Sequence, residues 1–238
     1  MYYHFNSIRK YTVSLLDTFG DIEIPRYDEN GQVIKVITVP IVFSSRERAV
    51  QLVEQDYATN NGSANILPRL ALSLDAMNKA TNRDTNKTRK INVTAKDDSN
   101  YRLHYNSVAY DLSFTLHILA RTMSDLTIIL EQILPQFRPT LNIRMQELDF
   151  VENDETIPIS FDGVSFNFPI DTDIDSDIRT ITADIALTMR GNLYLPIKDA
   201  KIVKEVYANL QDPSGGISTT AYKAFDDSTV LYTKTDTI

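Results

Sequence analysis

The sequence predicts an α+β fold, a mixed and mostly antiparallel sheet with packed helices, and three observations carry that prediction. Residues 108–118 alternate, with Val108, Tyr110, Leu112, Phe114, Leu116 and Ile118 on one side and Asp111, Ser113, Thr115 and His117 on the other. That is the period of a half-buried strand. Residues 181–189 repeat it with Ile181, Ala183, Ile185, Leu187 and Met189. Helix-period segments fall irregularly among such strands rather than after each one, which separates α+β from a doubly wound sheet.

Taken in order, Ile8, Tyr11, Leu15 and Phe19 follow helical spacing, with Asn6 or Ser7 as N-cap and Gly20 as terminator. "DIEIP" and "QVIKVITVPIVF" read as two strands of a hairpin, because Asn30-Gly31 suits a turn that needs positive φ. "SSRERAVQLVEQ" reads as a short helix capped by Ser44 or Ser45. The polar stretch "DYATNNGSAN" separates it from a strand in which Leu70, Leu72, Leu74 and Ala76 share a face. Lys79 to Lys90 has five basic residues against one Asp and no apolar period, and reads as an exposed loop.

"SDLTIILEQIL" predicts a helix that buries Leu126, Ile129, Leu130 and Ile133. Pro135 ends it by removing a donor and disfavouring helix at Leu134, while Pro139 restrains Arg138. "PQFRP" is then a stiff connector. "TIPISFDGVSFNFPI" has a hairpin signal at Asp162-Gly163, and "DAKIVKEVYANL" reads as a last helix. With no linker-like break before Asp212, residues 1–211 read as one domain and 212–238 as an extended, polar C-terminal tail. The aromatics Tyr222, Phe225 and Tyr232 suit that tail to docking on a partner.

The 238 residues are 42% apolar and 24% charged, ordinary values for a globular protein. No apolar run approaches the roughly 18 residues of a membrane span. The N-terminal residues lack the apolar stretch of a secretory signal, so no membrane role or export is expected. Zero cysteines remove disulfides, thiolate metal sites and thiol nucleophiles together. A net charge of −8 argues against a general nucleic-acid binder, yet an acidic protein can surround DNA without sticking to it.

Chemistry explains little of the sequence. The seven glycines include neither nucleotide-binding loop, and His4, His104 and His117 form no metal-binding pair spacing. Asp171, Asp173, Asp175 and Asp177 copy the start of a calcium loop, but Ser176 and Thr182 stand where glycine and a bidentate Glu are needed. A solvated acidic loop is the expectation. Glu147, Asp149, Glu152, Asp154 and Glu155 could supply an acid–base pair of the kind a carboxylate-based hydrolase uses. No catalytic residue, cofactor or metal is assigned. His117, on the polar face of the best strand, reads as an interface residue, as do Pro135, Phe137, Arg138 and Pro139.

The strings "FNSIRKYT", "KVITVPIVFSSRERAV", "ANILPRLALSL", "LEQILPQFRPTLNIRM" and "GNLYLPI", in this order, resemble the tail-sheath stabiliser or tail-terminator (tail completion) proteins of T-even-type contractile-tailed bacteriophages. The likeness spans roughly Tyr2 to Leu210, apart from the segment of about Lys79 to Asn100. It implies a terminator-like α+β fold and a structural virion protein, not an enzyme. It also implies a homo-hexameric ring at the head-proximal end of the tail, assembled in the host bacterial cytoplasm. Such a ring terminates the tail tube, stabilises the extended sheath and offers a surface to neck proteins for head attachment. DNA would pass through its lumen without specific binding. Two other readings are a neck or connector protein on the portal side and a carboxylate-based hydrolase.

Overall fold

The structure, a computed structural model, describes residues 3–28, 31–59, 67–86, 89–94, 100–148, 154–168, 180–196, 198–201, 205–211 and 217–223. They belong to two compact units. One comprises Met1–Lys87 and Ser107–Leu195, the other Thr88–Asn106 and Pro196–Ile238.

The larger unit is built on a six-stranded sheet. Its elements in chain order are α1 (Ser7–Thr18), β1 (Glu23–Tyr27), β2 (Val33–Thr38), β3 (Ile41–Phe43), α2 (Arg46–Thr59) and β4 (Arg69–Lys79). In the smaller unit β5 (Lys90–Thr94) and β6 (Asn100–Tyr105) follow, and the chain returns to the larger one with β7 (Val108–Ala120), α3 (Met123–Ile133), β8 (Thr140–Met145), β9 (Glu155–Asn167) and β10 (Ile181–Leu193). The sheet order is β3-β4-β7-β10-β9-β8, with β3 parallel to β4 and every other neighbour antiparallel. The α+β expectation therefore holds, mostly antiparallel sheet included.

One face of the sheet makes the core. Leu112, Phe114, Leu116 and Ile118 of β7 pack with Ala183, Ile185, Leu187 and Met189 of β10 beneath Tyr11, Leu15 and Phe19 and beneath Leu126, Ile129 and Ile133. Both helices were legible because their apolar residues recur every three to four positions. A Cβ added at Gly191 would sit 2.7 Å from Leu112 Cδ1 and 2.8 Å from Tyr11 Cε2, so α1 approaches β10 where no side chain intervenes. Against the opposite face, Ala49 and Val53 of α2 bury Leu67, Ala71 and Leu119 in a second, smaller cluster.

Several expectations are corrected. "QVIKVITVPIVF" is not one strand: β2 ends at Thr38, and after Val39-Pro40 the chain enters the main sheet as β3. Proline lacks the N–H that would continue a ladder. The turn itself is as expected, with Gly31 at φ 75°. Helix α2 runs on through "DYAT", so the polar stretch is partly helical. Ile8 is exposed rather than core. Asn6 flanks α1 in a left-handed conformation and makes no side-chain cap.

Two further surprises are bulges. Asp75 has no partner in β7, so Ala76 pairs with Ser113 and Met77 takes the place opposite Leu112. Asp162 is likewise extra, between Phe161 opposite Leu187 and Gly163 opposite Ala186. The Asp-Gly pair thus makes a bulge inside one long strand and not a hairpin. An extra residue relieves the ladder locally while the strand continues. Of the expected loop, Ala80 is buried, while the described residues 81–86 are largely exposed, with a 3₁₀ turn at Thr81–Arg83. Its charges are not idle: Arg83 pairs with Asp111 and Lys79 with Asp84.

The smaller unit also holds β11 (Lys198–Lys201), β12 (Glu205–Gln211) and β13 (Ile217–Lys223). The order β11-β6-β5 makes one small sheet and the antiparallel pair β12-β13 another. The last helix expected from "DAKIVKEVYANL" is thus two strands. The position drawn as the start of the tail falls between hairpin partners, since Gln211 pairs with Ile217 and Val206 with Tyr222. Phe225, Tyr232 and the acidic stretch 171–179 lie outside the described residues.

Candidate functional site

The polar face of the sheet carries a cleft of about 410 Å³, lined by residues of β4, β7, β9, β10 and the start of α2. Register creates it. His117 stands opposite Asp184 on one side and Ala71 on the other, and Asp184 stands opposite Ser165. Directly opposed residues on one face lie within side-chain reach. His117 Nδ1 lies 2.6 Å from Asp184 Oδ1, and Nε2 lies 3.1 Å from Ser73 Oγ. Ser73 Oγ also donates to Asp75 Oδ1 at 2.7 Å, and Thr115 Oγ1 donates to Asp75 Oδ2.

Helix α2 completes the cluster. Its first residue, Arg46, donates to Thr182 Oγ1 at 3.1 Å and lies 3.4 Å from Asp184 Oδ2. Glu47, in the first turn, has its carboxyl held below the ordinary range by its own backbone N–H and then by the Ser45 hydroxyl. Exposed donors at a helix start favour the anion.

The relay Ser73–His117–Asp184 repeats the arrangement of a hydrolase triad, but the hydroxyl proton has three claimants: His117 Nε2, Asp75 Oδ1 and, at 3.5 Å, the Thr115 carbonyl. Asp75 Oδ1 lies closer to the Ser73 hydroxyl, at 2.7 Å, than Nε2 does, at 3.1 Å. A serine whose proton rests on a carboxylate is not activated by the ring. What the cluster does as it stands is tie β4, β7, β10 and α2 together. His117, expected at an interface, is 8% exposed and bonded on both ring nitrogens within its own chain. Sequence reasoning missed Ser73, Asp75 and Asp184, because their partnership depends on which strands are neighbours.

A second polar cluster joins α1 to the end of β10. Tyr11 donates to Glu147 Oε1 at 2.6 Å and Tyr194 donates to Glu147 Oε2, while Asn192 N–H donates to the Tyr11 hydroxyl at 2.8 Å. Burial pushes the Glu147 carboxyl up; the two tyrosines oppose this and Glu155 adds to it. Burial, followed by the nearby Glu147, likewise raises both tyrosines. Of the acidic run considered for catalysis, 149–153 lies outside the described residues. Glu147 is a buried acceptor and Glu155 an exposed one, bonded to Asn192 Nδ2 at 3.4 Å. Among the described residues no group of three or more His, Asp or Glu could hold a metal.

The segment after α3 differs from the expectation in one respect. Leu134 stays right-handed helical and Leu134–Gln136 forms a 3₁₀ turn, so Pro135 sits early in that turn, where its missing N–H costs nothing. The chain turns extended only at Phe137, at φ −90° and ψ 93°. Phe137 packs on the core and tilts against Phe161, with ring centroids 5.8 Å apart. Pro135, Arg138 and Pro139 are exposed, and Arg138-Pro139 is a cis bond.

The sequence matches the family model described as T4-like virus Myoviridae tail sheath stabiliser over residues 2–236. It is also 29% identical over 228 residues to "Tail completion protein gp15" of Enterobacteria phage T4. That match covers 90% of this chain and 82% of that protein.

Proposed function

The chain belongs to the tail sheath stabiliser family of T4-like viruses, and from that premise we propose that it completes the tail as a ring of six identical copies seated on the head-proximal end of the tube. As a member of this family it is a structural component of the phage tail. The match over residues 2–236 is the observation that carries the proposal. In this reading the ring ends the tube, holds the last sheath layer extended and presents its far side to neck proteins. DNA runs through the lumen past an acidic protein that does not hold it.

A ring of identical subunits needs two different, rigid surfaces on each copy rather than a pocket. The twice-clustered sheet and the His117 network supply rigidity. The test is complementation of a phage lacking the gene. Restored tails should keep their sheath extended, and tails without the chain should be unstable and fail to join heads. Normal head joining without the chain would contradict the proposal, and density confined to the portal side would support the connector reading instead. Ser73→Ala separates a serine-hydrolase reading of the His117 cleft: the architectural reading expects normal capping, and loss of capping by a well-folded variant would contradict it.

A further inference from the structure

Two patches of the larger unit leave large apolar side chains in water. The first is the hairpin of β1 and β2. Arg26 forks onto Asp125 at 2.5 and 3.0 Å, and Gln132 bonds both backbone groups of Glu23 at 3.3 and 2.7 Å. These contacts clamp β1 to α3. Strand β2 pairs only with β1 among the described strands, so its far edge is open. The register shifts beside Tyr27, and Tyr27 is 59%, Val33 54%, Ile34 68% and Val36 48% exposed. Soluble monomers blunt such edges with charge, proline or brevity, and β2 offers only Lys35.

The second patch runs along the outside of α1 to the end of β8. Val13 is 54% exposed there, and a groove of about 380 Å³ is lined by Arg9, Lys10, Val13 and Met145. Beside it β8, the outer strand of the six-stranded sheet, has a six-residue edge that is open among the described strands, the same length as β2. The charges are complementary. The hairpin and its approach carry Asp21 and Glu23 against Lys35, Arg26 being committed to Asp125. The groove carries Arg9 and Lys10, the latter donating to the Gln146 and Glu147 carbonyls, with Arg144 on β8, against exposed Glu155 opposite Met145; Glu147 is buried under tyrosines, and Asp17 lies two turns along α1.

We propose that the β1–β2 hairpin of one copy seats in the α1–β8 groove of the next, an apolar strand edge entering a basic groove. The contact joins two different patches, the head-to-tail kind that builds rings. It rests on the ring reading above. Strand addition at an open edge would supply main-chain bonds, with the apolar side chains setting fit.

The chain contains no cysteine, so introduced thiols report cleanly. The experiment compares finished tails carrying Val36→Cys, Val13→Cys, the double variant, and a control pairing Val36→Cys with exposed Asn82→Cys. After mild oxidation the double variant should give a ladder of covalent oligomers on denaturing gels, while the single variants and the control stay monomeric. A ring seen by imaging whose double variant links no more than the control would overturn this interface and leave the ring reading standing. Tails that carry no multimer of the chain at all would overturn both.

Discussion

The two faces of the six-stranded sheet make opposite uses of the same alternation. On the core face, Leu112, Phe114, Leu116 and Ile118 are buried among apolar partners. On the other face, one residue away, Thr115 and His117 meet a floor of Ser73, Asp75 and Asp184, which Arg46 joins from α2. The first face is held by area removed from water, which is non-directional. The second is held by a few directed bonds that exist only if β4, β7 and β10 are neighbours in this register. A core face therefore tolerates swaps of similar volume, whereas the polar face depends on the identity of each member.

The largest expected effect tests the core face. Phe114→Ala removes a fully buried ring and should cost about 3–5 kcal/mol by denaturant unfolding. A loss near zero would mean that the two helices do not close over it. On the polar face, Asp184→Ala strands His117 and Arg46 together and should cost about 1–3 kcal/mol. Ser73→Ala should cost less, since Asp75 keeps the Thr115 hydroxyl. If both substitutions were neutral in a melt, the cluster would not be a structural tie.

The comparison is sharpened by pH. Glu147 has a folded-state pKa raised by burial above the ordinary Glu value of about 4.3. The folded state therefore holds that proton more tightly than the unfolded chain does. Stability from this group is fully present below about pH 4.3 and is lost as pH rises through the raised value. Melting temperatures of Glu147→Gln measured upward from pH 4 should fall less than those of the parent, and an equal fall would remove the carboxyl as the cause.

The smallest effect concerns the connector. Pro135→Ala should cost about 0.4–1 kcal/mol through the freedom gained by the unfolded chain, with α3 intact. Circular dichroism and melting check this together. If the connector also sets direction for assembly, capping by that variant should drop while its fold persists.

How far the sequence could be read follows the same division. Strands β7 and β10 and helices α1 and α3 were legible because each shows one clean period over ten or more residues. The signals that misled were local chemistry with two meanings. Asp162-Gly163 fits a turn and a bulge alike, and "KIVKEVYANL" has apolar residues at spacings that suit a helix as well as two short strands. The His117 cluster could not be read at all, since Ser73, His117 and Asp184 are brought together by sheet order rather than by spacing. The exposed hairpin was read as secondary structure, but its exposure depends on how β1 is clamped to α3.

The central claim is that this chain acts by its shape and position at the end of a tail. Electron microscopy of tails completed with the purified chain tests it most directly. The account predicts a closed ring of this protein, with the symmetry of the tube, capping a sheath that remains extended. Stable, extended tails of normal length with no density for the chain at either end would contradict it.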